Sequence, residues 1–309
     1  MNKHRIETNN VNCNGISLHY IDEGNINNPP ILLVMGLGAQ LTQWPQKMVD
    51  ALVEEGFRVI RFDNRDIGLS AQASKNIRFD LARDSMKARI GLPIKNNYTL
   101  YSMVEDVAGL LDALKLESVH IVGASMGGMI SQLFSALYPH RTLSLTSIMS
   151  TTNESTLPLP RYDILFNLMG FGVEKGHEKD IAVRRTLKFW KKISSPDYPT
   201  PEDEILARIA SDYERSYRPS GTLRQTHAIM ATGGFRHLLH RINCPTQVIH
   251  GNKDPLVHMK GGIASAKAIP GSKLEIINGM GHDFPVQLLP KLVELITLNA
   301  RQPNYSMVS

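Results

Sequence analysis

Cysteine, aromatic residues and long apolar runs are all scarce in this chain. The two cysteines, Cys13 and Cys244, lie far apart and outside any CxxC pattern, which argues against a disulfide framework and against a thiolate metal site. No uncharged apolar stretch reaches the roughly 18 residues that a membrane span needs, and the opening MNKHRIETNN lacks the apolar run of a signal peptide. These absences predict a cytoplasmic protein without stable membrane insertion.

The charge of the chain is mildly basic but is not concentrated anywhere. The formal net charge is +5, and Lys and Arg are scattered without an arginine-rich arm, so nucleic acid is not an expected partner. Hydrophobic residues make up 42% of the 309 positions, which is ordinary for a soluble globular protein with a large core. No motif in the chain calls for a metal or a cofactor, and a homodimer stays open.

Strand and helix patterns alternate along most of the chain. Continuous or alternating apolar runs predict strands at 16–24, 29–36, 57–63, 118–123, 142–150, 246–251 and 273–279. Apolar residues at helical spacing predict helices at 44–56, 99–116, 126–139 and 286–299. This alternation predicts the α/β class, with a mostly parallel sheet covered by helices on both faces.

Residues 151–240 break this alternation. They are too many for a structureless loop in a compact domain, and they contain the helical patterns DILFNLMGF, DIAVRRTLKFWKKI, EDEILARIASDYERSY and TLRQTHAIMATGGFRHLLHRI. We therefore expect a core made of 1–150 and 241–309, and a helical lid of 151–240 over the edge of the sheet.

One serine stands in a glycine-rich turn between a predicted strand and a predicted helix. The segment Gly123-Ala124-Ser125-Met126-Gly127 fits the pattern G-x-S-x-G. Such a turn holds the serine in a strained backbone conformation with its hydroxyl projecting from the sheet edge, and neighbouring residues must be small for the turn to close. Ser125 is therefore a candidate nucleophile.

A serine nucleophile needs a general base, and the base needs a carboxylate that orients it. Partners of Ser125 must follow strands whose carboxyl ends meet at the same sheet edge. Asp254 follows the strand TQVIHG and His282 follows the strand KLEIING. The sequence therefore predicts Asp254 as the acid and His282 as the base.

A developing oxyanion needs backbone donors close to the serine. The glycine-rich segment VMGLGAQ follows a strand, so we expect the N–H groups of Leu37 and Met126 to form an oxyanion hole. Gly36, Met129 and His258 are expected to contact substrate.

Other polar residues receive structural interpretations. Asp63 and Arg65, in the turn FDNRDIGLS, are predicted to form a buried pair with each other that holds the loop. His250 is interpreted as a packed, hydrogen-bonded histidine, and His227 as a solvated residue of the lid.

Five motifs occur in an order that resembles one large family. They are VMGLGAQLTQWP, RFDNRDIGLS, VGASMGGMI, HGNKDPLV and GMGHDFP, and they resemble motifs of α/β-hydrolases, specifically the carboxylesterase branch with aclacinomycin methylesterase-like serine hydrolases. The likeness covers most of 16–150 and 240–298. It implies a first strand at about 4–12, eight strands in all and a helical lid inserted after the sixth strand. It also implies the same roles for Ser125, Asp254, His282, Leu37 and Met126.

The resemblance implies a serine hydrolase that cleaves carboxylic esters through an acyl-enzyme. The apolar residues around Ser125 and in the lid point to small or medium apolar ester substrates. A thioesterase, a C–C bond hydrolase and a proline iminopeptidase stay open, as do a cofactor-free perhydrolase and a non-catalytic receptor. This sequence departs from the family's motif at Met35-Gly36, where many relatives carry His-Gly.

Overall fold

The computed structural model describes residues 6–73, 80–164, 176 and 178–303. Eight strands form one sheet, and they are β1 (Ile6–Cys13), β2 (Ile16–Glu23), β3 (Pro30–Val34), β4 (Arg58–Phe62), β5 (Val119–Ala124), β6 (Thr142–Ile148), β7 (Thr246–Gly251) and β8 (Lys273–Ile277). Among the described residues, the helices of eight residues or more are α1 (Gln46–Glu54), α2 (Leu81–Arg89), α3 (Leu100–Ala113), α4 (Met126–Leu137), α5 (Lys179–Ile193), α6 (Glu202–Arg215), α7 (Pro219–Thr232), α8 (Lys260–Ala268) and α9 (Leu289–Ala300).

The order of the strands across the sheet is β1-β2-β4-β3-β5-β6-β7-β8. β1 pairs with β2, and β2 with β4, in antiparallel fashion, whereas every pair from β4 to β8 is parallel. Parallel strands bring their carboxyl ends to one edge of the sheet. The predicted mostly parallel sheet is therefore confirmed, and its site-bearing edge is the one where β3, β5, β7 and β8 end.

Both faces of the sheet are covered by helices. Successive residues of β3 point to opposite faces, so Leu32 and Val34 belong to one apolar cluster and Ile31 and Leu33 to the other. α3 and α4 pack in the first cluster, and α1 and α9 in the second. A strand buried on both faces reads as the continuous apolar run seen at 29–36.

The residues between β6 and β7, which we call the insertion (149–245), contain helices α5, α6 and α7. The predicted helical patterns at 180–193 and 202–217 coincide with α5 and α6, and the fourth pattern contains most of α7 followed by a short 3₁₀ segment, Arg236–Arg241. Most of the first pattern, DILFNLMGF, lies outside the described residues. Among the described residues, no helix combines the length and the apolar character that crossing a membrane requires.

Two interpretations of polar residues were wrong. Asp63 and Arg65 do not pair with each other, because the chain turns after β4: Asp63 pairs with Arg215 of α6 at 2.8 Å, and Arg65 pairs with Asp106 of α3 at 2.5 Å. His227 is not solvated, since only 1% of it is exposed. In both cases the residues that pair with or bury the side chain come from distant parts of the chain.

Candidate active site

Ser125 occupies the sharp turn between β5 and α4. Its φ of 55° and ψ of −119° lie in a region that a non-glycine residue enters only when its surroundings enforce it. The flanking glycines leave no room for a side chain: a Cβ at Gly123 would lie 2.3 Å from the Gly127 carbonyl oxygen, and a Cβ at Gly127 would lie 2.0 Å from that of Val34. The small residues therefore allow β5, α4 and the end of β3 to approach one another around the serine.

His282 and Asp254 meet Ser125 at this edge of the sheet. His282 Nε2 lies 3.0 Å from Ser125 Oγ, and His282 Nδ1 lies 2.7 Å from Asp254 Oδ2. Asp254 Oδ1 accepts hydrogen bonds from the backbone N–H groups of Leu256 and Val257, at 2.9 and 2.8 Å. With Nδ1 donating to the carboxylate, Nε2 is left as an acceptor for the serine hydroxyl proton.

The Asp254 carboxylate is buried but ionised. Burial acts to raise its pKa, yet the neighbouring His282 and His250 together hold the pKa below its ordinary value. His250 is wholly buried, with Nε2 2.8 Å from the Val257 carbonyl oxygen and 3.4 Å from Asp254 Oδ2. His250 is thus packed and hydrogen-bonded, and it also neighbours the acid. The spacing of the two residues in HGNKD does not predict this contact, because the segment is not helical.

The loop after β3, residues 35–40, which we call the oxyanion loop, lies against the serine. A Cβ at Gly36 would be 3.1 Å from the Cβ of Ser125. Asn64 Nδ2 donates to the Met35 carbonyl oxygen at 2.9 Å. The N–H groups of Leu37 and Met126 donate no hydrogen bond to any other part of the chain that the structure describes.

A cavity of about 1340 Å³ opens beside Ser125. The predicted site residues Gly36, Leu37, Ser125, Met126, Met129, His258 and His282 line it, whereas Asp254 lies behind His282. The insertion supplies much of the remaining wall, including Phe189, Trp190 and Tyr213. The cavity is therefore bounded by both the sheet edge and the insertion.

Arg208 of α6 also lines the cavity. Its guanidinium carbon lies 4.9 Å from the centre of the Trp190 ring, and burial lowers its pKa. Its Nε is buried and has no hydrogen-bond partner in the described part of the chain. Sequence reasoning missed Arg208, because no local pattern distinguishes it from the other scattered arginines.

Asp283, the neighbour of His282 in the chain, contacts the insertion. It accepts from the Ser195 N–H at 3.0 Å and from Ser195 Oγ at 2.5 Å. Burial raises the pKa of Asp283. Because Ser195 follows α5, this contact joins the His282 loop to the insertion. In the described residues, no cluster of three or more His, Cys, Asp or Glu side chains is arranged to hold a metal ion.

Comparison with known proteins supports the fold and the class of reaction. The profile of the alpha/beta hydrolase fold family matches residues 29–287. The chain is similar to rhodomycin D methylesterase DauP of Streptomyces sp. (strain C5), with 25% identity over 291 residues that cover 88% of this chain and 91% of the relative. It is also similar to 2-hydroxy-6-oxononadienedioate/2-hydroxy-6-oxononatrienedioate hydrolase 1 of Pseudomonas putida, with 28% identity over 278 residues that cover 86% of each protein.

Among solved structures, the fold is similar to that of the enol-lactonase from Burkholderia xenovorans LB400, with a TM-score of 0.72, 22% identity, and coverage of 95% of this chain and 100% of the other. The sheet order, the strained serine turn and the matched profile agree with one another. The chain belongs to the α/β-hydrolase fold family, and its similarity to methylesterases places it among hydrolases of the esterase type.

Proposed function

We propose that this protein hydrolyses carboxylic esters through an acyl-enzyme formed on Ser125. The observation that carries the proposal is the position of His282, whose two ring nitrogens lie within hydrogen-bond distance of Ser125 Oγ and of Asp254 Oδ2. This arrangement lets a single imidazole take the hydroxyl proton while a carboxylate stabilises the imidazolium that results.

The reaction proceeds in two stages. His282 removes the proton of Ser125 as Oγ attacks the ester carbonyl carbon, and the N–H groups of Leu37 and Met126 donate to the oxyanion. The tetrahedral intermediate collapses, and the alcohol leaves with the proton from His282. Water then loses a proton to His282 and attacks the acyl carbon, which releases the carboxylic acid and restores the Ser125 hydroxyl. Throughout, Asp254 holds the tautomer of His282.

The cavity supports apolar ester substrates. Met35, Met126, Met129 and Trp190 are among its lining residues, and Gly36 and His258 complete the wall near the serine. Its volume, about 1340 Å³, exceeds the roughly 300–1,000 Å³ of common ligand sites. Small and medium esters therefore fit, and larger esters fit as well. The part of the insertion predicted as a lid, residues 151–240, acts as the lid of this cavity.

Activity-based labelling tests the proposal directly. A fluorophosphonate is expected to label Ser125, with the adduct mapped by mass spectrometry, and p-nitrophenyl butyrate is expected to show a burst of product. The variant Ser125→Ala should lose both, with kcat/KM reduced about 10⁴-fold or more. The control Ser220→Ala removes an exposed hydroxyl outside the cavity and should keep both. Binding without turnover in the wild type would favour a receptor, and turnover only with peroxide and a carboxylic acid would favour a perhydrolase.

A second candidate function, hydrolysis of a C–C bond beside a ketone, is favoured by Arg208. The Pseudomonas putida relative is named for a dicarboxylate substrate, and Arg208 lines the cavity with a guanidinium whose Nε has no hydrogen-bond partner among the described residues. A guanidinium binds a carboxylate through charge-assisted hydrogen bonds, so a substrate carboxylate would give this Nε a partner. We expect any hydrolysis of 2-hydroxy-6-oxononadienedioate to be lost in Arg208→Met and kept in the exposed control Arg184→Met. Equal effects of the two changes, or no hydrolysis by the wild type, would contradict this candidate.

A further inference from the structure

The oxyanion loop is held by a residue of the insertion. Gln225 of α7 accepts a hydrogen bond from the Gly38 N–H at 2.9 Å through Oε1. The only other hydrogen bond from a side chain to the loop backbone among the described residues is the one from Asn64 to Met35. Met35 itself is buried in an apolar cluster with Trp44 and Met48, and its thioether has no proton to donate to the loop.

The amide of Gln225 has one possible orientation. Gln225 is completely buried, and its Nε2 donates to the Arg65 carbonyl oxygen at 2.9 Å. A carbonyl can only accept and the Gly38 N–H can only donate, so reversing the amide would place like groups against each other at both ends. Both bonds lie away from water, where an unpaired polar group costs about 1–3 kcal/mol. The side chain is therefore a rigid bridge between two loops.

The helix that carries Gln225 is itself fastened to the core. The neighbouring Arg224 forms an ion pair with Asp66 at 2.8 Å, and Asp66 also accepts from the Tyr98 hydroxyl at 2.6 Å. A Cβ at Gly221 would lie 2.2 Å from the Asp66 carbonyl oxygen, so the helix backbone approaches the loop after β4 closely. These contacts hold the part of α7 that carries Gln225 in place against the core.

We propose that Gln225 is a positioning residue that sets the direction of the Leu37 N–H at the oxyanion site. The bond to the Gly38 N–H fixes the peptide unit between Leu37 and Gly38, and this restricts the backbone rotations of Leu37. Gly38 has a φ of 68°, and a Cβ there would lie 2.8 Å from Thr222 of the same helix. The insertion therefore shapes the catalytic geometry as well as the cavity wall. This inference rests on the proposed function.

The variant Gln225→Met tests the proposal, since it keeps the length of the side chain and removes both hydrogen bonds. Activities are expressed per site labelled by fluorophosphonate, so that unfolded protein does not count. We expect kcat for p-nitrophenyl butyrate to fall about ten- to hundredfold, with KM and the inhibition constant of butyrate within about twofold of wild type. The inhibition constant of an alkyl trifluoromethyl ketone, which forms a tetrahedral adduct with the serine, should rise in step with the fall in kcat.

Two further variants make the result decisive. Gln225→Asn shortens the side chain by one methylene and so moves the amide away from Gly38. If Gln225→Met does not fold, Gln225→Asn should show the same fall in kcat with an unchanged KM. Ser220→Ala, an exposed change on the same helix, should behave as wild type. Unchanged kcat and ketone affinity per labelled site would overturn the proposal, as would parallel losses of ketone and butyrate affinity. If Ser125 of the wild type is not labelled and the wild type does not hydrolyse esters, the proposed function is overturned, and this inference with it.

Discussion

At the scale of single residues, His120 shows how a buried polar side chain links stability to pH. It lies in β5, with Nδ1 2.9 Å from Ser144 Oγ and its ring centre 5.8 Å from that of Phe57. Burial lowers the pKa of His120 from 6.5 to about 4. The imidazole is therefore neutral in the folded protein over the whole range in which the unfolded chain becomes protonated.

The free energy of unfolding is expected to fall between pH 6.5 and pH 4. Above this range neither state binds the proton, so His120 contributes nothing to the pH dependence. Within it, the unfolded chain binds a proton that the folded protein does not, which favours unfolding by about 3 kcal/mol at pH 4. Urea unfolding of the wild type and of His120→Gln at pH 7, 5.5 and 4.5 measures this contribution. The same decline in both proteins would assign the pH dependence to other groups.

At the scale of elements, the serine turn depends on how closely α4 approaches β3. Gly127 is in the first turn of α4, and the space that a Cβ would need there is taken by the backbone of Val34. Backbone atoms cannot move aside as the end of a flexible side chain can. A methyl group at this position must therefore separate the helix from the sheet and displace Ser125.

We expect Gly127→Ala to lower the free energy of unfolding by about 3 kcal/mol or more and to abolish labelling of Ser125 by fluorophosphonate. Gly271→Ala is the matched change, since Gly271 has a φ of 68° but nothing within 4 Å of a Cβ. It should cost only the strain of its backbone conformation, about 1 kcal/mol, and should leave labelling intact. Urea unfolding and the labelled fraction are the two measurements. Similar behaviour of the two variants would refute the importance of the close approach.

At the scale of the whole molecule, the insertion and the core are joined at several places. Arg215 of α6 pairs with Asp63 at 2.8 Å, and Asp283 accepts from Ser195 Oγ at 2.5 Å. Gln225 adds a third contact at the oxyanion loop. Each of these contacts has at least one buried polar partner, and together they involve the residues at or just after the ends of α5 and α6 as well as α7. The two parts should therefore not unfold separately.

The two tryptophans of the chain report on the two parts. Trp44 is buried in the core and Trp190 lies in α5 of the insertion. In urea, the fluorescence transitions of Trp190→Phe, which retains Trp44, and of Trp44→Phe, which retains Trp190, are expected to match the circular dichroism transition of the same variant. An earlier fluorescence transition in Trp44→Phe alone would show that the insertion unfolds independently.

The sequence by itself determined the class of the fold and the order of its elements. Parallel strands covered on both faces leave continuous apolar runs, and for this reason the run at 246–251 coincides with β7. The sequence also predicted that Ser125, Asp254 and His282 lie at one edge of the sheet. Each of them directly follows a strand, and the carboxyl ends of parallel strands meet at the same edge, so this prediction needs no knowledge of side-chain contacts.

The tertiary structure alone decided which polar groups meet. Asp63 pairs with Arg215 rather than with Arg65, Asp254 has His250 beside it, and Gln225 holds Gly38. The hydrophobic pattern of a segment indicates which of its side chains face the core. A hydrogen bond such as that of Gln225 instead depends on where two loops and a distant helix lie in the folded protein. Hydrophobic periodicity is therefore readable along the chain, whereas the pairing of buried polar groups is fixed only when the whole chain has folded.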